Sequence, residues 1–99
     1  MLTFEKVLAV FAEYLQQDPL YEVILTSHGY TLMAWEPWKN QWYTAEIMET
    51  PEILLDTLLC KYSEYLEEQL TDSERDLTAA EQGEIDAKCT RLKAECYRN

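Results

Sequence analysis

Residues 21–35 read YEVILTSHGYTLMAW, and the fold turns on how this stretch is read. Tyr21, Val23 and Leu25 alternate with Glu22, Ile24 and Thr26, the two-residue period of a strand. His28-Gly29 breaks the run and Tyr30 to Trp35 resumes it, which predicts an antiparallel hairpin closed by a two-residue turn. His28 is expected in that turn, where a positive φ is tolerated. It is the single histidine, with no Ser, Cys or acid at a recognisable catalytic spacing, and so reads as a turn residue and not as a base.

Working outward, Glu36 to Gln41 is a polar connection containing Pro37, and Trp42 to Met48 predicts a third strand, giving a meander. Pairing Leu25 with Leu32 and Ala34 with Ala45 puts Tyr21, Val23, Leu25, Leu32, Ala34, Tyr43, Ala45 and Ile47 on the core face. The other face then carries Ile24, Met33, Trp35, Trp42 and Met48 among Thr26, Thr31, Thr44, Glu22 and Glu46. A slip of one residue would exchange the two faces. The second face is unusually apolar for solvent, so it is expected to lie under the first helix, under a dimer mate or against a partner. Trp35, Trp38 and Trp42 would be natural anchors in the last case.

Helices flank the meander. Thr3 is placed to cap a first helix whose apolar residues Phe4, Val7, Leu8, Phe11, Tyr14 and Leu15 follow the helical period up to Asp18-Pro19. Thr50-Pro51-Glu52 is a cap, a first-turn proline and a first-turn acid, and opens a second helix. One half of that helix is Leu54, Leu55, Leu58, Leu59, Tyr62, Tyr65, Leu66 and Leu70; the other is a strip of Glu52, Asp56, Glu64, Glu67 and Glu68. Residues 71–77 (TDSERDL) connect to a capping box, Thr78 with Glu81, that starts a third helix with a narrow stripe of Ile85, Cys89, Leu92 and Cys96. Its final turn is expected to fray. The expected fold class is α+β: one domain over residues 1–99, a three-stranded antiparallel sheet packed with three helices in the order αβββαα.

The charge is not spread evenly. Of 19 acids, thirteen fall between Glu46 and Asp86 against Lys61 and Arg75 alone, so this segment carries the whole net charge of −11. A surface of that sign repels nucleic acid and anionic lipid, and attracts basic protein surfaces. No apolar run approaches the roughly 18 residues that span a bilayer, and Glu5 and Glu13 in the first helix speak against a signal peptide, so a cytoplasmic protein is expected. Cys89 and Cys96 stand two helical turns apart, about 10.5 Å along the axis, too far to bridge. With Cys60 they are expected as buried, reduced thiols.

Part of the acidity has local work: Glu52 and Glu81 stabilise helix starts. Glu64, Glu67, Glu68, Asp72, Glu74 and Asp76 have no such role. Glu64 and Glu68 form a like-charge pair one turn apart, and Glu67 and Glu68 sit near a helix C-terminus, where the macrodipole disfavours acids. Asp72, Glu74 and Asp76 alternate like the start of a calcium loop, but the glycine and terminal glutamate of that loop are missing, leaving adventitious cation binding at most. There is no glycine-rich phosphate loop, nucleophile elbow, zinc motif or other catalytic constellation. No enzyme activity, metal or cofactor is expected. The six acids read either as a solvated face that keeps the domain soluble or as carboxylates imitating nucleic-acid phosphates.

In element order, size and acidity the chain resembles small acidic anti-CRISPR proteins of phages and mobile elements. The resemblance spans most of the chain and includes no residue motif, so it implies no residue roles. It does imply a DNA mimic that covers the basic site with which a type II CRISPR nuclease reads the short motif beside its target. The partner expected on this reading is the basic surface of a nucleic-acid-binding protein or nuclease, met by Glu64, Glu67, Glu68, Asp72, Glu74 and Asp76. The alternative is a structural or assembly protein of a phage or mobile element that dimerises or pairs through the Trp/Met sheet face.

Overall fold

Thr3 begins the first helix by accepting a hydrogen bond from the Lys6 amide at 3.1 Å. In the computed structural model, which describes residues 1–98, the helix expected up to Asp18 is stepped into α1 (Phe4–Val10) and α2 (Ala12–Gln17). Phe11 is the step, at φ −93° and ψ 4°. The i to i+4 bonds run through it, Phe11 N–H to Val7 at 3.0 Å and Leu15 N–H to Phe11 at 2.9 Å, so the two pieces share one apolar stripe. Asp18 ends the stripe as foreseen: its carboxylate accepts from the Tyr14 hydroxyl at 2.7 Å and from the Leu20 amide at 3.0 Å.

The meander forms as β1 (Tyr21–Thr26), β2 (Gly29–Glu36) and β3 (Gln41–Met48), antiparallel and adjacent in sequence order. Its register corrects the expected one in two places. In the first hairpin Val23 faces Leu32 and Leu25 faces Tyr30, two residues away from the pairing of Leu25 with Leu32. The turn is Ser27-His28 and not His28-Gly29; the Thr26 hydroxyl accepts from the His28 amide at 3.1 Å, and the positive φ of 111° falls on Gly29, which has no Cβ to oppose it. A two-residue shift keeps every β1 side chain on its expected face.

The second correction is larger. Ala34 faces Tyr43 and Leu32 faces Glu46, so Ala45 is an extra residue bulged out of β3 opposite Leu32/Met33. Beyond the bulge the faces exchange. Met48, expected outside, has 0% exposure in the core; Ile47, expected inside, is 44% exposed. Glu46 swings to the helical side, where its carboxylate accepts from the Thr57 hydroxyl at 3.1 Å. Leu25 and Tyr43, also expected in the core, lie exposed on the two outer strands, Leu25 at 67%.

Two further helices complete the layer. Thr50 accepts from the Ile53 amide at 3.2 Å to open α3 (Pro51–Thr71), and the Thr78/Glu81 capping box opens α4 (Ala79–Cys96). Leu54, Leu55 and Leu58 of α3 join Val7, Phe11, Leu32 and Met48 in one core. Each leucine so buried contributes about 1.5–3 kcal/mol. The α4 stripe behaves as read, with Ile85 and Cys96 buried and Cys89 half-buried. α4 is helical to Cys96, which belongs to the core cluster; the last turn, where fraying is expected, reaches Asn99, outside the described residues. Cys60, expected inside, is exposed.

All helices pack on one side of the sheet. The domain is a two-layer slab of 41 × 41 × 18 Å, and the first helix does not cover the second sheet face. Among the described residues no helix is long and apolar enough to cross a membrane.

Candidate functional site

The last two turns of α3 carry Glu64, Glu67 and Glu68 outward because Leu54, Leu55 and Leu58 commit the other side of the helix to the core. What the sequence does not reveal is where the acids after residue 71 go. The helix stops at Asp72, which takes the left-handed conformation at φ 54° while its amide donates to the Glu68 carbonyl at 2.8 Å. Ser73 follows at φ 59°, and the Glu74 amide returns to the Thr71 carbonyl at 2.9 Å. Two successive left-handed residues, neither of them glycine, fold the chain back on itself instead of letting it run on. The Ser73 hydroxyl donates to the Glu68 carboxylate, tying the loop to the helix.

The result is an open bowl of ≈ 340 Å³ walled by Glu64, Glu67 and Glu68 from the helix and by Glu74 and Asp76 from the loop, with Thr71, Ser73 and Arg75 completing it. Five of the six acids singled out from sequence are thus brought together. Asp72 is not in the wall; its place is the helix cap. Among the described residues Glu67, Glu68, Asp72, Glu74 and Asp76 have no ion-pair partner. Glu64 does have one: Lys61, one turn earlier, reaches it at 3.8 Å. Burial works against the Lys61 ammonium, but Tyr21 and Glu64 outweigh it and raise its pKa. An adjoining groove of ≈ 290 Å³, lined by Leu20, Tyr21, Lys61 and Tyr65, shares Glu64 and Glu68 with the bowl. The acidic surface therefore has an apolar border.

Arg75 is the residue that sequence reasoning missed. Its guanidinium grips the Glu81 carboxylate in a two-pronged pair at 2.7 and 2.8 Å and also donates to the Leu70 carbonyl at 2.8 Å. It therefore fastens the end of α3, the loop and the start of α4 to one another. It also means that the one base among the loop acids is already neutralised by an acid outside the bowl. The spacing of six residues matches no helical pairing, so only the folded loop makes the partnership visible.

The clamp has a pH signature. The Arg75 guanidinium, then the Thr78 amide, hold the Glu81 carboxyl down from an ordinary 4.5 to about 2. A depressed carboxyl contributes stability that is fully present above its unfolded value and is lost as pH falls through the window from 4.5 to about 2. An Arg75→Gln chain is expected to unfold at lower urea than the parent at neutral pH, with the gap narrowing as pH falls through that window. A gap that stays constant down to about pH 2 would show that the pair contributes nothing that titrates.

The bowl holds its carboxylates in the open, on the outer side of the helix and loop. Among the described residues no group of three His, Cys, Asp or Glu side chains is arranged to hold a metal ion. What the arrangement offers is a dense negative surface, able to meet a set of cationic side chains. No protein-family model, curated protein or solved structure matches this chain.

Proposed function

We propose that this protein is a non-enzymatic inhibitor or interaction protein of the cytoplasm, whose acidic surface imitates nucleic-acid phosphates and occupies the basic nucleic-acid-binding site of another protein. In keeping with its resemblance to acidic anti-CRISPR proteins, a type II CRISPR nuclease is the partner proposed. The observation that carries this reading is the convergence of Glu64, Glu67, Glu68, Glu74 and Asp76 on one bowl whose only arginine is bound elsewhere.

Density supports it. Glu64 to Glu68 occupies about 6 Å of helix axis, so three carboxylates stand about 3 Å apart on average, rather more than half the charge density of a duplex. Duplex DNA presents one phosphate charge per ~1.7 Å. A surface acid needed only for solubility would have no reason to be folded back onto its neighbours by two left-handed residues, an arrangement that raises mutual repulsion. Contact through exposed charges implies steep screening. Immobilised protein is expected to retain a basic nucleic-acid-binding protein from host lysate at about 0.05 M salt and to release it by about 0.5 M. Retention that does not change with salt would count against an electrostatic mimic.

A further inference from the structure

We infer that the groove bordering the acidic bowl is a socket for one arginine side chain of the basic partner, and that Lys61 holds its place in the free protein. The socket rests on the reading of the bowl as a docking surface for a basic protein, and adds to it a choice of side chain.

The groove lies where the start of β1 meets the outer side of α3. Its apolar lining is Leu20, 43% exposed, with the rings of Tyr21 and Tyr65. Glu64 and Glu68, one helical turn apart, form the side it shares with the bowl. Tyr65 is held in position: its ring meets that of Tyr14 edge to face at 5.4 Å, and the Tyr14 hydroxyl is fixed on the Asp18 carboxylate at 2.7 Å. The volume, ≈ 290 Å³, falls at the lower limit of small-molecule pockets and suits a single long side chain.

The cation already present points to what that side chain is. The Lys61 ammonium stands 5.2 Å from the centroid of the Tyr21 ring and 3.8 Å from the Glu64 carboxylate. An aromatic ring and a carboxylate converging on one positive charge is an arrangement that recognises cationic side chains. Lys61 uses it incompletely. It makes one long contact to an acid whose side chain is 56% exposed, and Glu68 has no base among the described residues. An exposed pair of this kind holds its members weakly, so Lys61 is readily displaced to solvent. Arginine satisfies the same lining more fully. Its planar guanidinium carries five donors, enough to serve Glu64 and Glu68 together, is less strongly hydrated than an ammonium, and stacks on aromatic rings. Its methylene stem packs along Leu20 and Tyr65. Surfaces that bind phosphates are rich in arginine, so the residue the groove selects is one that the partner of the bowl supplies.

Fluorescence anisotropy with labelled hexa-arginine and hexalysine peptides at about 0.15 M salt tests the socket without the host partner. The parent is expected to bind hexa-arginine about fivefold tighter than hexalysine, or more. Tyr21→Leu keeps an apolar residue and removes the ring, and is expected to bring the two peptides within about twofold of each other. Lys61→Met vacates Glu64 and the Tyr21 ring, and is expected to bind hexa-arginine about threefold tighter than the parent. Lys93→Met makes the same change of net charge on α4, which lines no part of the groove, and is expected to stay within about 1.5-fold of the parent. Methionine preserves the apolar stem of Lys61, so this comparison stands even where Tyr21→Leu costs folding, which circular dichroism checks. Equal binding of the two peptides by the parent overturns the socket. So does a folded Tyr21→Leu chain that keeps the arginine preference, or a Lys61→Met chain that binds no tighter than Lys93→Met. The socket and the mimicry fail separately: the difference between the peptides reads the groove, whereas release of a captured partner by DNA reads the bowl.

Discussion

A chain carrying Glu64→Lys, Glu67→Lys and Glu68→Lys together is expected to lose partner binding by about a hundredfold or more while folding like the parent. Each reversal exchanges an attraction for a repulsion of about 1 kcal/mol at an exposed surface, so three together reach about two factors of ten. Net charge moves from −11 only to −5, so the chain remains acidic and soluble, and the loss would belong to the site and not to bulk charge. Folding is expected to survive because all three side chains are exposed and make no core contact. Lysines near the C-terminus of α3 also suit the helix dipole better than the native acids do. Three local interactions are lost, the Lys61–Glu64 pair, the Cys60 thiol bond to Glu64 and the Ser73 hydroxyl bond to Glu68, all at the surface and all small. Circular dichroism and the urea midpoint check the fold; titration against the captured partner checks the binding. Equal binding by parent and variant would end the mimicry proposal.

The second large effect concerns stability. Met48→Ala is expected to destabilise the domain by about 2–5 kcal/mol, the range for truncating a fully buried side chain, whereas Ile47→Ala should change it by less than about 1 kcal/mol. The two residues are neighbours of similar size and hydrophobicity, so their difference isolates the register of β3. Met48 fills the core beside Leu32, Leu54 and Leu55, while Ile47 looks away from the helices. Strict alternation along residues 42–48 predicts the reverse order of effects, because it places Ile47 inside. Urea unfolding of the two variants decides between them, and equal midpoints would contradict the bulge at Ala45.

That pair of residues also shows how far the sequence carries the fold. Elements with a local signature read correctly: the Thr3 cap, Thr50-Pro51 at the start of α3, the Thr78/Glu81 box, and the strand periods on either side of the first turn. Their energetics lie within four residues of chain, so the pattern is visible without tertiary context. The order αβββαα follows from them. A bulge, by contrast, is one extra residue with no composition of its own. Ala45 suits a regular strand as well as a bulged one, and the choice was settled by burying Met48 and offering Glu46 to Thr57, both of them long-range effects. The first turn is ambiguous in a similar way: Ser27-His28 and His28-Gly29 both keep Gly29 at the turn, yet they set strand pairings two residues apart.

The candidate site divides in the same way. The outward acids of α3 were legible because helical spacing opposes them to a leucine stripe. The return of Glu74 and Asp76 toward them was not, because it depends on Asp72 and Ser73 being left-handed and on Arg75 reaching Glu81. Asp72, chosen for its charge, proved to be a cap. The open sheet face was legible as an apolar surface but not as an uncovered one, since both sheet faces carry apolar side chains and only the packed helices show which is closed.

The central proposal is that this acidic surface and a nucleic acid compete for one basic site. The most direct test immobilises the protein, loads it from host lysate at low salt, and washes the retained partner with duplex DNA at constant ionic strength. The proposal predicts that DNA releases the partner in proportion to its concentration, and that the triple-lysine chain retains nothing to release. A partner that stays bound while it takes up DNA would contradict it.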